Sequence, residues 1–188
     1  MADPAASSQT AARAATWVFD PAHSIAEFSV RHMMIATVKG RFKKMEGKIV
    51  GDPADPSRAS VELSIDVNSI DTGEPQRDTH LRSPDFFDAE HHPTLTFRSR
   101  RIERVGDDRL RVVGDLTMRG VTKEVPVDVT FDGQGKDPWG NERSAFSAET
   151  RVNRKEFGLN WNTLLETGGV LVGDEVRINV HVEAIKQG

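Results

Sequence analysis

From Trp17 to Val182 the chain alternates apolar and polar residues with a period of two, and no apolar helical repeat in it is long enough to cover a sheet. Residues 24–31 set Ala26, Phe28 and Val30 on one side and Glu27, Ser29 and Arg31 on the other. After an apolar turn at Met33, Met34, Ile35 and Ala36, the pattern resumes with Val38, Gly40 and Phe42. It then changes parity to Met45, Gly47 and Ile49, the one-residue slip expected of a β-bulge in a long bent strand. Val61, Leu63, Ile65 and Val67 define another dry face, as do Leu95 and Phe97, and Leu110, Val112, Leu116 and Met118. Gly120 reads as a tight hairpin into Val125, Val127, Val129 and Phe131, with Pro126 on the outward set, where a missing donor is tolerated. A turn over residues 133–141 leads to Phe146, Ala148, Thr150 and Val152, and the last strand carries Val176, Ile178, Val180 and Val182.

About eight antiparallel strands with one apolar face each, and no covering helix, predict an all-β chain whose sheet closes on itself as a barrel. A barrel of that size has an interior that side chains fill or that holds one slim ligand. The inward positions are mostly Val, Ile, Leu, Ala and Gly, which are small for filling it. In an up-and-down barrel, successive connections alternate between the two ends. Residues 33–36, 71–97, the Gly120 hairpin and residues 153–173 therefore gather at one mouth, and the polar turns at Asp52, Asp107 and Asp137 close the other.

The longest interruption of the alternation, residues 71–97, belongs to that mouth. Its residues 76–82 predict one or two helical turns that end before Pro84. Ser83 then reads as the N-cap of a second short helix, with Pro84 first and Asp85 near the positive end, presenting Phe86 and Phe87 ahead of His91, His92 and Pro93.

Composition narrows the partners. At 188 residues the chain suits one domain, residues 16–188, preceded by a small-residue tail, residues 1–15, that cannot bury enough area to order itself. A net charge of −4 gives no general attraction to nucleic acid, and no stretch is long and apolar enough to span a membrane. There is no cysteine, hence no disulfide or thiolate chemistry. The N-terminus has neither a basic start nor an apolar run, so a cytoplasmic location is expected.

Candidate ligand-contacting residues follow from the inward register: Phe28, Val30, Phe42, Leu63, Ile65, Phe97, Leu116, Phe146 and Val180 along the wall. At the mouth, His80, Leu81, Phe86, Phe87, Trp161 and Leu164, mixed with basic groups such as Arg77, form a lid from two long connections, and Met34 stands on the short apolar turn beside them. Lys123, the one charge in the inward register of its strand, and Arg154 are the cations placed to meet an anionic head group. No metal site is expected: adjacent His91 and His92 do not converge on one ion, and the zinc-helix spacing is missing. Gly168 and Gly169 lack the Lys-Ser/Thr of a phosphate loop, and no serine sits in a nucleophile elbow. A barrel enzyme acting on a lipophilic substrate, with His80, Asp78 or Lys155 as acid or base, is the alternative to a binding protein.

Five segments in order carry a resemblance: WVFDPAHSIAEFSVRHMMIATVKGRFKKMEGKIV, SIDTGEPQRDTHLRSPDFFDAEHHPTLTF, GDLTMRGVTKEVPVDVTF, DPWGNER with NRKEFGLNW, and GDEVRINVHVEA. Together they span residues 17–184 and resemble the YceI-like polyisoprenoid-binding proteins. The resemblance implies an extended lipocalin-like antiparallel β-barrel with short helices at one end. It implies a non-enzymatic carrier that holds a long isoprenoid, an isoprenoid quinone or pyrophosphate, or another amphiphilic chain, with no cofactor. Whether the protein acts as a monomer or a homodimer is left open by the sequence.

Overall fold

A computed structural model describes residues 14–52 and 55–188. The elements in chain order are β1 (Ala15–Phe19), β2 (Ile25–His32), β3 (Ala36–Phe42), β4 (Met45–Asp52), β5 (Asp55–Asp66), β6 (Ile70–Asp71), α1 (Pro75–Arg82), β7 (Thr94–Arg104), β8 (Arg109–Met118), β9 (Val121–Lys136), β10 (Glu142–Asn153) and β11 (Val172–Lys186). The expected tail lies almost wholly outside the described residues. Its last member, Ala15, instead opens β1 opposite Gly51, because strand pairing reaches one residue beyond what the side-chain pattern signals.

The sheet closes into an eight-strand antiparallel barrel. β1 and β2 are two halves of one wall strand: β1 pairs with the far end of β11 (Phe19 opposite Ala184), and β2 with its earlier part (Ile25 opposite His181). β3 and β4 form the next wall strand in the same way, against β2 and β1. β5, β7, β8, β9, β10 and β11 then follow in sequence and close the barrel, while residues 36–40 of β3 and 121–127 of β9 keep a ladder partner on one side only. The short β6 adds to β3 at Arg41 and Phe42.

The parity slip after Phe42 is a break rather than a bulge. The backbone N–H of Lys43 donates to the Ser69 carbonyl and that of Lys44 to Ser69 Oγ, so groups lost from the ladder are satisfied by the 3-10 turn at Val67–Ser69. Phe42 and Met45 both remain buried across the break. β9 is longer than the glycines suggested, running through Lys136 with a bulge opposite Ala145 and Phe146, and Gly133 there adopts φ +145°. The true turn is short. Asp137 accepts hydrogen bonds from the backbone N–H groups of Trp139 and Asn141.

One α-helix is present where two were expected at the mouth. Glu74 caps α1 by accepting from the Gln76 N–H, with Pro75 at the first position. Ser83 ends this helix instead of starting another. Its Oγ donates to the His80 carbonyl, and its own carbonyl accepts from the N–H groups of Phe86 and Asp88, which curls residues 84–92 into successive turns.

The largest fully buried side chains, Phe157 and Ile70, lie where wall and mouth meet. Ile70, Phe86, Phe157 and Leu159 are all buried there, with Phe157 only 1% exposed. Around the β1–β11 seam Trp17, Phe19, Val182 and Ala184 are buried as well.

Candidate functional site

A cavity of about 750 Å³ runs the length of the barrel. Its wall is made by alternate residues of the strands, so the same period that forms the barrel makes its lumen apolar. Phe28 and Val30 from β2, Phe42 from β3, Leu63 and Ile65 from β5, Phe97 from β7, Leu116 from β8, Phe146 from β10 and Val180 from β11 all line it. Registers keep these side chains level: Leu63 stands opposite Phe97, Phe97 opposite Leu116, and Val180 opposite both Ala148 and Ala26. The wall also takes Phe131, Val176 and Ile178, whose parity made them equally readable.

Small residues keep the lumen and the wall contacts open. A Cβ on Gly40 would stand 2.4 Å from the Phe28 ring, and one on Gly114 would stand 2.6 Å from Phe97. At these glycines an aromatic ring closely approaches the backbone.

The mouth is covered from two sides. α1 and the turns after it bring His80, Leu81, Phe86 and Phe87 to the cavity, and residues 154–171 bring Leu159 and Trp161. Trp161 meets His80 edge-on at 4.7 Å between centroids and Phe86 at 5.4 Å, while Phe87 stands edge-on to Phe42 at 5.8 Å. His80 is held by Asp85 at 2.8 Å. The Gly120 hairpin joins the same end, since Arg119 Nη1 donates to the Gly158 carbonyl and the His92 ring lies against Gly120.

Arg154 is the structural keystone of the second long connection. It is 3% exposed, and its guanidinium donates to the carbonyls of Gly173 (2.8 Å), Leu159 (2.6 Å), Trp161 (2.9 Å) and Val172 (3.2 Å). Burial lowers its pKa from the ordinary arginine value, with Asp174 opposing that shift. The group borders the cavity, but its donors are committed to backbone carbonyls of the loop and of β11, whereas the sequence placed it as a cation for an anionic head group.

Three expected contacts lie off the cavity. Lys123 shares a face with Leu116 by register, yet its side chain is in solvent. The last ladder pair of β9 with β10 is Asp128 with Glu149, so the wall beside Lys123 is open and the ammonium stays hydrated. Met34 is 59% exposed and Leu164 82% exposed, because both sit on outward-turned loop tips. Beside Arg77 of the lid, the mouth gains Arg31, His32 and Leu171. His32 continues the parity of Phe28 and Val30, a signal available in the sequence. Arg77 is positioned by Thr72, whose Oγ1 and carbonyl accept from its guanidinium.

At the opposite end, Arg104, Asp107, Asp108 and Gln134 border the cavity, so it extends to the turns that the sequence read as a simple closure. Nearby, Asp20, His23 and Glu183 bring ligand atoms within 4.8 Å of one another, a cluster the sequence did not suggest because Glu183 is far in the chain from Asp20 and His23. Arg143 already supplies the cation there: Nη1 lies 2.7 Å from both Asp20 and Glu183, and Nε lies 2.8 Å from Asp137. The Arg143 hydrogen bond, aided by His23, brings the Asp20 pKa down to about 2. His91 pairs with Asp88, while the His92 ring lies against Gly120.

The comparisons agree with this architecture. A UPF0312 protein of Vibrio cholerae is 42% identical over 151 residues, covering 79% of this chain and 80% of the relative. The crystal structure of BcnA from Burkholderia cenocepacia superposes with a TM-score of 0.78 at 29% identity, covering 88% of this chain and 98% of that one. A domain from Saccharophagus degradans, described as a polyisoprenoid binding domain implicated in plant cell wall breakdown, shares the fold with a TM-score of 0.69 at 16% identity, over 93% of this chain and 100% of its own. The YceI-like domain family matches residues 17–184, and with its barrel, lumen and lid the chain belongs to that family.

Proposed function

We propose that the barrel binds one long, slim apolar chain of the isoprenoid class, free or as the tail of a quinone or pyrophosphate, and carries it shielded from water. The observation that carries this reading is the continuous apolar lumen of about 750 Å³, walled by Phe28, Leu63, Phe97 and Val180 and covered by Trp161 and Phe86. Burying an extended hydrocarbon against such a wall is favourable at about 25 cal/mol per Å² removed from water. The description of the Saccharophagus degradans relative as polyisoprenoid binding supports the same chemistry for the lumen. Asp78, offered as an acid or base in an enzyme, accepts from the N–H and Oγ1 of Thr72, and Lys155 pairs with Asp174 at 3.1 Å. Of the three, His80 lines the cavity, whereas Asp78 and Lys155 are not among its lining residues. The test is organic extraction and mass spectrometry of the purified protein before and after incubation with a polyprenyl alcohol and its pyrophosphate. Stoichiometric recovery of intact chain is expected. A chemically altered product would favour the enzyme, and no uptake at all would remove the carrier reading.

A further inference from the structure

The turn between β2 and β3 is unusual in its chemistry. Its central residues, Met33 and Met34, adopt φ of 51° and 62°, a left-handed conformation that hairpins normally assign to Asn or Gly. The side chains so presented are apolar: Met33 is 43% exposed, Met34 59% and Ile35 78%. Leu164, 82% exposed, lies on the adjoining connection. The two tips form one ridge. Met33 donates its N–H to the Leu171 carbonyl, Leu164 bridges to Val170, and Met34 Sδ packs against Gly169 so closely that a Cβ there would stand 2.3 Å away. Of the large apolar side chains exposed among the described residues, these four share one end. Val18, Val105 and Trp139 are scattered elsewhere on the barrel.

The ridge borders the lumen, since Arg31, His32, Leu171 and Val172 line the cavity and also flank the two tips. Arg31 donates to the Met34 carbonyl at 2.9 Å, which holds a guanidinium at the base of the apolar tip, and Glu166 is the acid on the neighbouring loop. An apolar tip above a fixed cation matches the layering of a bilayer interface, with hydrocarbon beneath a zone of phosphates. A chain that suits the lumen is itself poorly soluble in water and resides in such a layer.

We propose that the Met33–Met34–Ile35 tip and Leu164 form a lipid-docking ridge that seats the barrel mouth on a bilayer, so that the chain passes between membrane and lumen without crossing water. This rests on the carrier reading for its purpose, while docking itself is measurable without a ligand.

The test floats the full-length protein on a density gradient with phosphatidylcholine vesicles, alone and with added phosphatidylglycerol. Wild type should float, Trp139→Ser at the opposite end should float equally, and the Ile35→Ser/Leu164→Ser double variant should partition roughly tenfold less. Both substitutions fall at exposed positions, and an unchanged melting curve verifies folding. A second arm measures equilibrium uptake of a polyprenyl alcohol from detergent micelles, which should be the same in all three proteins, and its transfer rate from vesicles, which should fall only in the double variant. If wild type does not float, or the double variant floats as well as wild type, docking is overturned whatever the micelle arm gives. If no protein takes up the alcohol from micelles, the carrier reading fails and flotation still decides docking. Sedimentation guards the remaining case: conversion of a dimer to a monomer by the double variant, with no vesicle binding in either, would make the ridge a seat for a second copy and overturn the proposal.

Discussion

The imidazole of His80 stands edge-on to the indole of Trp161, with centroids 4.7 Å apart and planes at 86°, joining two connections separated by the whole of β7 to β10. Phe86 completes the contact at 5.1 Å from His80 and 5.4 Å from Trp161. The three rings make a latch across the mouth. An aromatic pair contributes roughly 0.5–1.5 kcal/mol beyond its area, so the two pairs made by Trp161 together hold the latch by about 1–3 kcal/mol. Trp161→Ala should therefore speed release of a bound chain by about tenfold while leaving the wall intact. Stopped-flow release measures this, and an unchanged rate would show that the chain leaves by another route.

Arg154→Met removes a guanidinium that bonds four carbonyls, those of Leu159 and Trp161 in its own connection and those of Val172 and Gly173 at the start of β11. Val172 keeps a second donor in Asn162, but the carbonyls of Gly173, Leu159 and Trp161 lose theirs. With buried acceptors left unpaired, the loss should be about 3 kcal/mol or more, read as a lower urea midpoint. Arg154→Lys should be intermediate, because one ammonium cannot span the positions that a planar fork reaches. A near-neutral Met variant would mean that the loop repacks without its strut.

The wall was legible because it obeys one rule. Phe28, Leu63, Phe97 and Val180 are inward by a period of two, and closure follows from strand number and the lack of a covering helix. The mouth was less legible, since loop side chains follow local hydrogen bonds rather than a period. Ser83 could start a helix or end one, and the choice depends on the His80 carbonyl beside it. Lys123 had the right parity and the wrong surroundings, because parity does not tell where β10 stops pairing with β9. Arg154 was singled out for its charge, and only the folded loop reveals that carbonyls claim it. The Asp20, Arg143, Asp137 and Glu183 cluster joins residues up to 163 positions apart (183 less 20), beyond any local motif.

That cluster sets a pH response. Arg143 first, and His23 next, bring Asp20 down to about 2. For Asp137 burial acts in the opposite direction, but hydrogen bonds from Arg143, Asn141 and Trp139 outweigh it and hold its carboxyl well below the ordinary range. A carboxylate whose folded pKa is depressed adds stability that is full above its unfolded value, near 4, and fades as pH falls through the folded value. Arg143→Met should thus lower the melting temperature by several degrees at pH 7, and the gap from wild type should narrow between about pH 4 and pH 2. A gap independent of pH would assign the effect to packing of the arginine stem.

The lumen can be blocked without breaking the wall. Ala148 on β10 lies between Val129 of β9 and Val180 of β11, and all three line the cavity. In Ala148→Phe the ring has free volume ahead of it, so the substitution fills space rather than overpacking a dense core, and stability should stay within about 1.5 kcal/mol of wild type. Chain uptake should fall below detection, because a slim ligand threading the barrel must pass that level. Val180→Asp reports on the same level by charge. An unpartnered carboxylate among Ala26, Ala148 and Ile178 should cost several kcal/mol or draw water into the lumen, and both consequences disfavour an apolar chain. The two variants separate causes: Ala148→Phe is stable and empty, whereas Val180→Asp is unstable and empty. Mass spectrometry of extracts alongside urea denaturation measures both. Wild-type ligand content in a stable Ala148→Phe would place the bound chain outside the lumen.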